Sequence, residues 1–231
     1  MAPGLHIIAP AAFADAFRAL GAAWPDGEVS FTFGPAAGDR PDSLVSRLAA
    51  GEVADLVVLP RALFQAQQQA GRIAGDVQAA FAVSRTAFCL PEGAALPDLS
   101  TESALRAALL DAGTVALSTA GSGVYFTTTL LPALRLAPDQ VATLQRSDRP
   151  VAEVVAAGEA RIGFQQRAEL TGQPGVQVVC DLPPLAQHGT ALIAGRPQTA
   201  TAQAIAQADA FLRFVASAAG VAVLDRFGLD S

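Results

Sequence analysis

Three short apolar runs, LHIIA (5–9), VSFTFG (29–34) and ADLVVLP (54–60), are each followed by a stretch whose apolar residues recur at helical spacing. This order constrains the fold more than any other feature, because strands joined through helices pair in parallel and need helices on both sheet faces. The helices read over AFADAFRALGAAW (12–24), ending before Pro25, and over DSLVSRLAAG (42–51), with Asp42 or Ser43 at its cap and Gly51 past its end. A third, RALFQAQQQAG (61–71), stops at Gly71. The rhythm then changes: FAVSRTAFCLP (81–91) and HGTALIAG (188–195) are long extended runs that flank a middle block with its own alternation.

Within that block ESALRAALLDAG reads as a helix, TVALS as a strand and GVYFTTTLLPAL as a helix kinked at Pro132. VATLQR is a short strand or turn. PVAEVVAAG is a helix with proline at its first position, where the missing N–H costs nothing. ARIGFQQ and VQVVCDLP are strands, and TAQAIAQADAFLRFVAS and AGVAVLDRFG close the chain as helices. The expected architecture is α/β: two lobes with mixed sheets and helices on both faces, joined by two crossover strands. The first lobe takes 1–80 and 195–231, the second 85–185, with hinge crossovers near 81–90 and 185–195.

Composition removes several classes of function. A net charge of −6 and a pI near 4.8 argue against nucleic acid, which needs a basic face. All 15 cations are arginines, so no lysine is present for Schiff-base chemistry or a pyridoxal-phosphate linkage. Cys89 and Cys180 both lie in apolar, strand-like runs and read as two buried free thiols, a disulfide being the alternative in an exported chain. With only His6 and His188, a His/Cys metal cluster lacks ligands, and no cofactor is implied. No window reaches the roughly 18 uninterrupted apolar residues of a spanning helix, so the expectation is a chain not inserted in a membrane. MAPGLHIIAP lacks a basic start and reads as no secretory signal. A native start at Met1 then means the cytoplasm, and a removed signal means the periplasm.

The segment LSTAGSGVYF (117–126) sets an apolar strand end before Ser118, Thr119, Gly121, Ser122 and Gly123. Such a loop is either an ordinary strand-to-helix turn or a seat for an anion, because glycine lets backbone come close and exposed N–H groups attract negative charge. Tyr125, the only tyrosine, follows in the helix's first turn, set for the same site or for the core. No Ser–His–Asp triad, catalytic carboxylate pair or nucleotide-binding glycine pattern is visible.

The order IAPAAF, FGPAAG, LAAGEVADLVVLP, STAGSGVYF, VAAGEARIGFQQ and FLRFVASAAGVAVLDRFG resembles type II periplasmic substrate-binding proteins, and within them the molybdate-binding-protein-like group. The resemblance spans essentially the whole chain. It implies two lobes that close by a hinge on an anion held in the cleft between them. In the molybdate binders two serines, backbone N–H groups and a tyrosine hold the oxyanion. Carried over to this sequence, those positions fall at Ala11 or Ala12, at the loop Ala36–Ala37–Gly38, and at Gln166. Three hydroxyls are missing, which argues against molybdate.

Arg149, in SDRP, stands where the resemblance implies backbone donors, and its planar fork suits a carboxylate. The implied ligand residues are therefore Ala11, Ala36, Ser118, Ser122, Gly123, Tyr125, Arg149 and Gln166. Arg40 is a substitute anion contact, Arg61 a residue of the cleft mouth, and His6 a core or rim residue. His188 is an acid–base candidate or a packing residue of the second crossover. The expected function is capture of a small organic anion, a di- or tricarboxylate, with delivery to an ABC-type permease if the chain is exported. The alternative follows from the group's kinship with aconitate isomerase: a cytoplasmic isomerase of unsaturated carboxylates on the same scaffold.

Overall fold

The computed structural model describes residues 4–119, 121–141, 143–147, 149–198 and 200–231, with backbone alone at 75–78 and 143–147. The chain divides into two compact units, Met1–Ser84 with Thr190–Ser231, and Arg85–Gly189.

In the first unit, β1 (Leu5–Pro10) pairs in parallel with β2 (Val29–Gly34) and β3 (Leu56–Pro60). Between them run α1 (Ala14–Ala23), entered through a 3-10 turn at Ala11–Phe13, and α2 (Leu44–Ala49); α3 (Arg61–Gln69) follows β3. The long strand β4 (Ile73–Pro91) leaves this unit for the second. Ser43 is the α2 cap: its hydroxyl accepts from the Ser46 N–H at 3.2 Å. Because strands and helices alternate here, β1 and β3 are buried along nearly their whole length.

The second unit holds the end of β4, then α4 (Glu102–Asp111), β5 (Thr114–Ser118) and α5 (Gly121–Tyr125). The α5 helix runs through a π turn at Phe126–Leu130 into α6 (Leu131–Ala133). β6 (Thr143–Ser147), α7 (Val151–Ala156), β7 (Ile162–Gln166), α8 (Arg167–Leu170) and β8 (Val176–Val179) follow. β5 lies parallel to both β6 and β7, while β4 runs antiparallel to β7 and β8. Phe88, Phe126 and Phe164 fill the core with ring centroids 4.8–6.4 Å apart, in the tilted and edge-on contacts that aromatic quadrupoles favour.

β9 (Gly189–Pro197) pairs antiparallel with β3 in the first unit, which α9 (Ala202–Val215), α10 (Ala218–Arg226) and β10 (Leu229–Asp230) complete. The last two helices bend by 69° at their junction and pack on each other. Among the described residues no single helix is long and apolar enough to cross a membrane. The only tryptophan, Trp24, ends α1 buried edge-on against Phe211, 5.4 Å between centroids.

The fold corrects one expectation about the thiols. Both cysteines are free, but only Cys89 is buried; β8 ends at Val179, so Cys180 falls just beyond the strand and is exposed. Burial pushes the Cys89 thiol up to about 12. In the native protein one thiol per chain should therefore react with dithionitrobenzoate, and a second only after unfolding. Cys180→Ser should abolish the native reaction, whereas persistent labelling of that variant would contradict the assigned exposures.

Candidate functional site

Ser118 is the last residue of β5, and the chain turns back on it at once. A Cβ at residue 123 would collide with the Ser118 carbonyl oxygen, so Gly123 lets the first turn of α5 rest on the strand end. The sequence linked that glycine to approach of a ligand; here the close neighbour is the chain's own backbone. This turn brings the Ser118 and Ser122 hydroxyls to 3.0 Å, both almost fully buried. Gly121, by contrast, faces open space. Thr127 and Thr128 donate to the Gly123 and Val124 carbonyls at 3.1 and 2.8 Å, side-chain bonds that accompany the widened π turn.

Tyr125 lies one turn beyond Ser122, hence on the same helical face. Its hydroxyl donates to the Leu185 carbonyl at 2.6 Å, and its ring stacks on the imidazole of His188, with centroids 4.2 Å apart and planes 16° from parallel. Burial raises the Tyr125 pKa, so the group stays a phenol and a donor. Thr86 fixes the same segment from β4: its hydroxyl donates to the Ala186 carbonyl at 2.6 Å and its N–H to the His188 carbonyl at 3.0 Å. Ser118, Ser122, Tyr125 and His188 thus form one strip within the second unit.

Gln166 ends β7 buried, in register with Thr86. Its neighbour Gln165 was not singled out in the sequence, yet it organises the start of α7. Pro150 precedes that helix and has no capping side chain, so the Gln165 Oε1 accepts from the Val151 N–H at 3.2 Å instead. The Gln165 amide nitrogen donates to Glu169 Oε2 at 2.7 Å. The i, i+4 spacing of Gln165 and Glu169 was the available signal. Arg149 is half-exposed, and its Nη1 donates to both oxygens of Glu159 at 3.0 and 3.2 Å.

Ala11 and Ala36 belong to the first unit, Ala11 exposed at the 3-10 turn and Ala36 partly covered in the loop after β2. That loop is braced internally: Ser43 donates to the Gly38 carbonyl at 2.7 Å, and the Leu44 N–H to the Pro35 carbonyl at 2.8 Å. Arg40 forms a two-pronged pair with Asp42, 2.9 Å on both arms, so its charge is matched by a neighbour in the loop. Arg61 is exposed at the first position of α3. His6 is a partly buried structural residue, with both ring nitrogens bonded to hydroxyls, Ser30 at 2.9 Å and Thr32 at 3.2 Å.

The profile of the bacterial extracellular solute-binding protein family matches residues 5–230, and the chain belongs to that family. Its fold is that of type II periplasmic substrate-binding proteins. It is 34% identical over 196 residues to an aconitate isomerase from a Pseudomonas species, covering 84% of this chain and 74% of the relative. Among solved structures, it superposes on the periplasmic molybdate-binding protein of Azotobacter vinelandii with a TM-score of 0.67 at 14% identity, covering 98% of this chain and 99% of that one. It also superposes on PEB3 of Campylobacter jejuni with bound L-phospholactate, with a TM-score of 0.66 at 12% identity over 98% and 99% of the two chains.

Burial pushes the Glu169 carboxyl from an ordinary 4.5 up to about 7. The folded chain then holds a proton that the unfolded chain has lost between those two values, so this group's contribution to stability falls as pH rises through that window. The full effect is on the order of 3 kcal/mol. Urea unfolding at pH 5 and pH 8 should show wild type losing more stability between the two than Glu169→Gln. Equal losses in the two proteins would exclude Glu169 as the source.

Proposed function

We propose that this protein binds an unsaturated tricarboxylate of the aconitate type and shifts its double bond. The observation that carries the reading is the 34% identity to an aconitate isomerase along 84% of the chain. Side-chain chemistry supports it. Alanines at 11 and 36 and an amide at 166 replace the hydroxyls that the resemblance assigns to a bare oxyanion. The hydroxyls of Ser118 and Ser122 and the guanidinium of Arg149 are donors suited to carboxylate groups. Capture of the same anion for a permease is the second reading, favoured by the family match.

Purified protein should interconvert cis- and trans-aconitate, followed by proton NMR, and calorimetry should find aconitate or citrate bound at least about tenfold more tightly than molybdate, a gap of about 1.4 kcal/mol. Sub-micromolar molybdate binding would reject the carboxylate assignment. Binding without interconversion would favour transport over catalysis.

Arg149→Ala should weaken aconitate binding by roughly 30-fold or more, as loss of one partner of a charge-assisted pair does. Arg149→Lys should restore only part, since lysine keeps the charge but not the fork. Arg72, which donates to the Gln67 side chain at 2.9 Å, serves as the control and should tolerate alanine. Unchanged affinity in Arg149→Ala would remove that residue from the site.

A further inference from the structure

We infer that His188 is the acid–base catalytic residue of this reaction; the inference rests on the isomerase reading above. The proposed reaction needs one group that takes a proton from carbon and returns it to another carbon. An imidazole both accepts and donates a proton at neutral pH, which suits the task. Four observations single out His188. It is exposed, so a substrate can reach it. Among the described residues neither of its ring nitrogens has a hydrogen-bond partner, whereas both ring nitrogens of His6 are occupied. Its backbone is fixed by Thr86, so the ring is not carried on a loose loop. One ring face lies on Tyr125, one turn beyond the buried Ser118–Ser122 hydroxyl pair.

Other candidates are committed elsewhere. The Tyr125 hydroxyl donates to a backbone carbonyl, and the Glu169 carboxyl accepts from Gln165, which caps α7. The Glu159 carboxylate accepts from Arg149.

In the step itself, the His188 imidazole takes a proton from the methylene carbon next to the double bond. The electron pair of that C–H bond becomes the new C=C bond. The old π pair takes a proton at the far carbon of the allylic system, delivered by the same imidazolium. Substrate and product have the same composition and oxidation level, so no oxidant, water or leaving group is needed.

The test compares His188→Gln, His188→Ala and His6→Gln with wild type on cis- and trans-aconitate. Rates come from NMR and affinities from calorimetry. Both His188 variants should lose about 10²–10⁴ in kcat, with Kd within about threefold of wild type. Free imidazole should restore part of the rate of His188→Ala. His6→Gln should retain the wild-type rate. A His188→Gln rate within about threefold of wild type would overturn the assignment while leaving the isomerase reading intact. Loss of affinity in step with rate, without imidazole rescue, would make His188 a structural residue. A wild-type protein that binds aconitate but never interconverts it would overturn the isomerase reading itself, and the assignment with it.

Discussion

The contact between Gly123 and the Ser118 carbonyl fixes how β5 passes into α5, and the polar strip of the second unit depends on it. Any side chain at 123 would prise the helix from the strand. The Ser118–Ser122 hydroxyl pair would then separate, and Tyr125, one turn on, would lose its register with Leu185 and His188. The π turn that follows lets Phe126 and Leu130 return to the Phe88–Phe164 core while the helix start stays anchored. One glycine without a Cβ therefore couples the core of this unit to its polar surface.

The same unit handles charge and polarity by pairing within short reach. Gln165 caps α7 where Pro150 cannot and holds Glu169 with the other end of its amide. In the first unit Asp42 takes up the charge of Arg40, and Ser43 ties the loop after β2 together. These bonds tie the loops to their neighbours without lysine, which this sequence lacks entirely.

The alternation of apolar strands and amphipathic helices was legible, because LHIIA, VSFTFG and ADLVVLP each carry the pattern within a few residues. The Ser43 cap and the glycines after α2 and α3 were legible for the same local reason. What escaped was set by tertiary contact. VQVVCDLP looks strand-like to its end, yet pairing stops at Val179 and leaves Cys180 outside. Gln166 drew attention through the resemblance, while its neighbour Gln165 does the capping, because alternation along β7 turns successive side chains to opposite faces. The Tyr125–His188 stack joins residues from separate segments of the chain, and no local pattern announces it.

The distribution of aromatic chromophores gives the molecule two built-in reporters. Its single tryptophan is buried in the first unit against Phe211, and its single tyrosine lies in the second, against His188. Emission from Trp24 therefore follows the packing of one unit, and emission from Tyr125 the state of the other. Whether the two units melt as one cooperative body or in sequence is written in whether the two colours fade together.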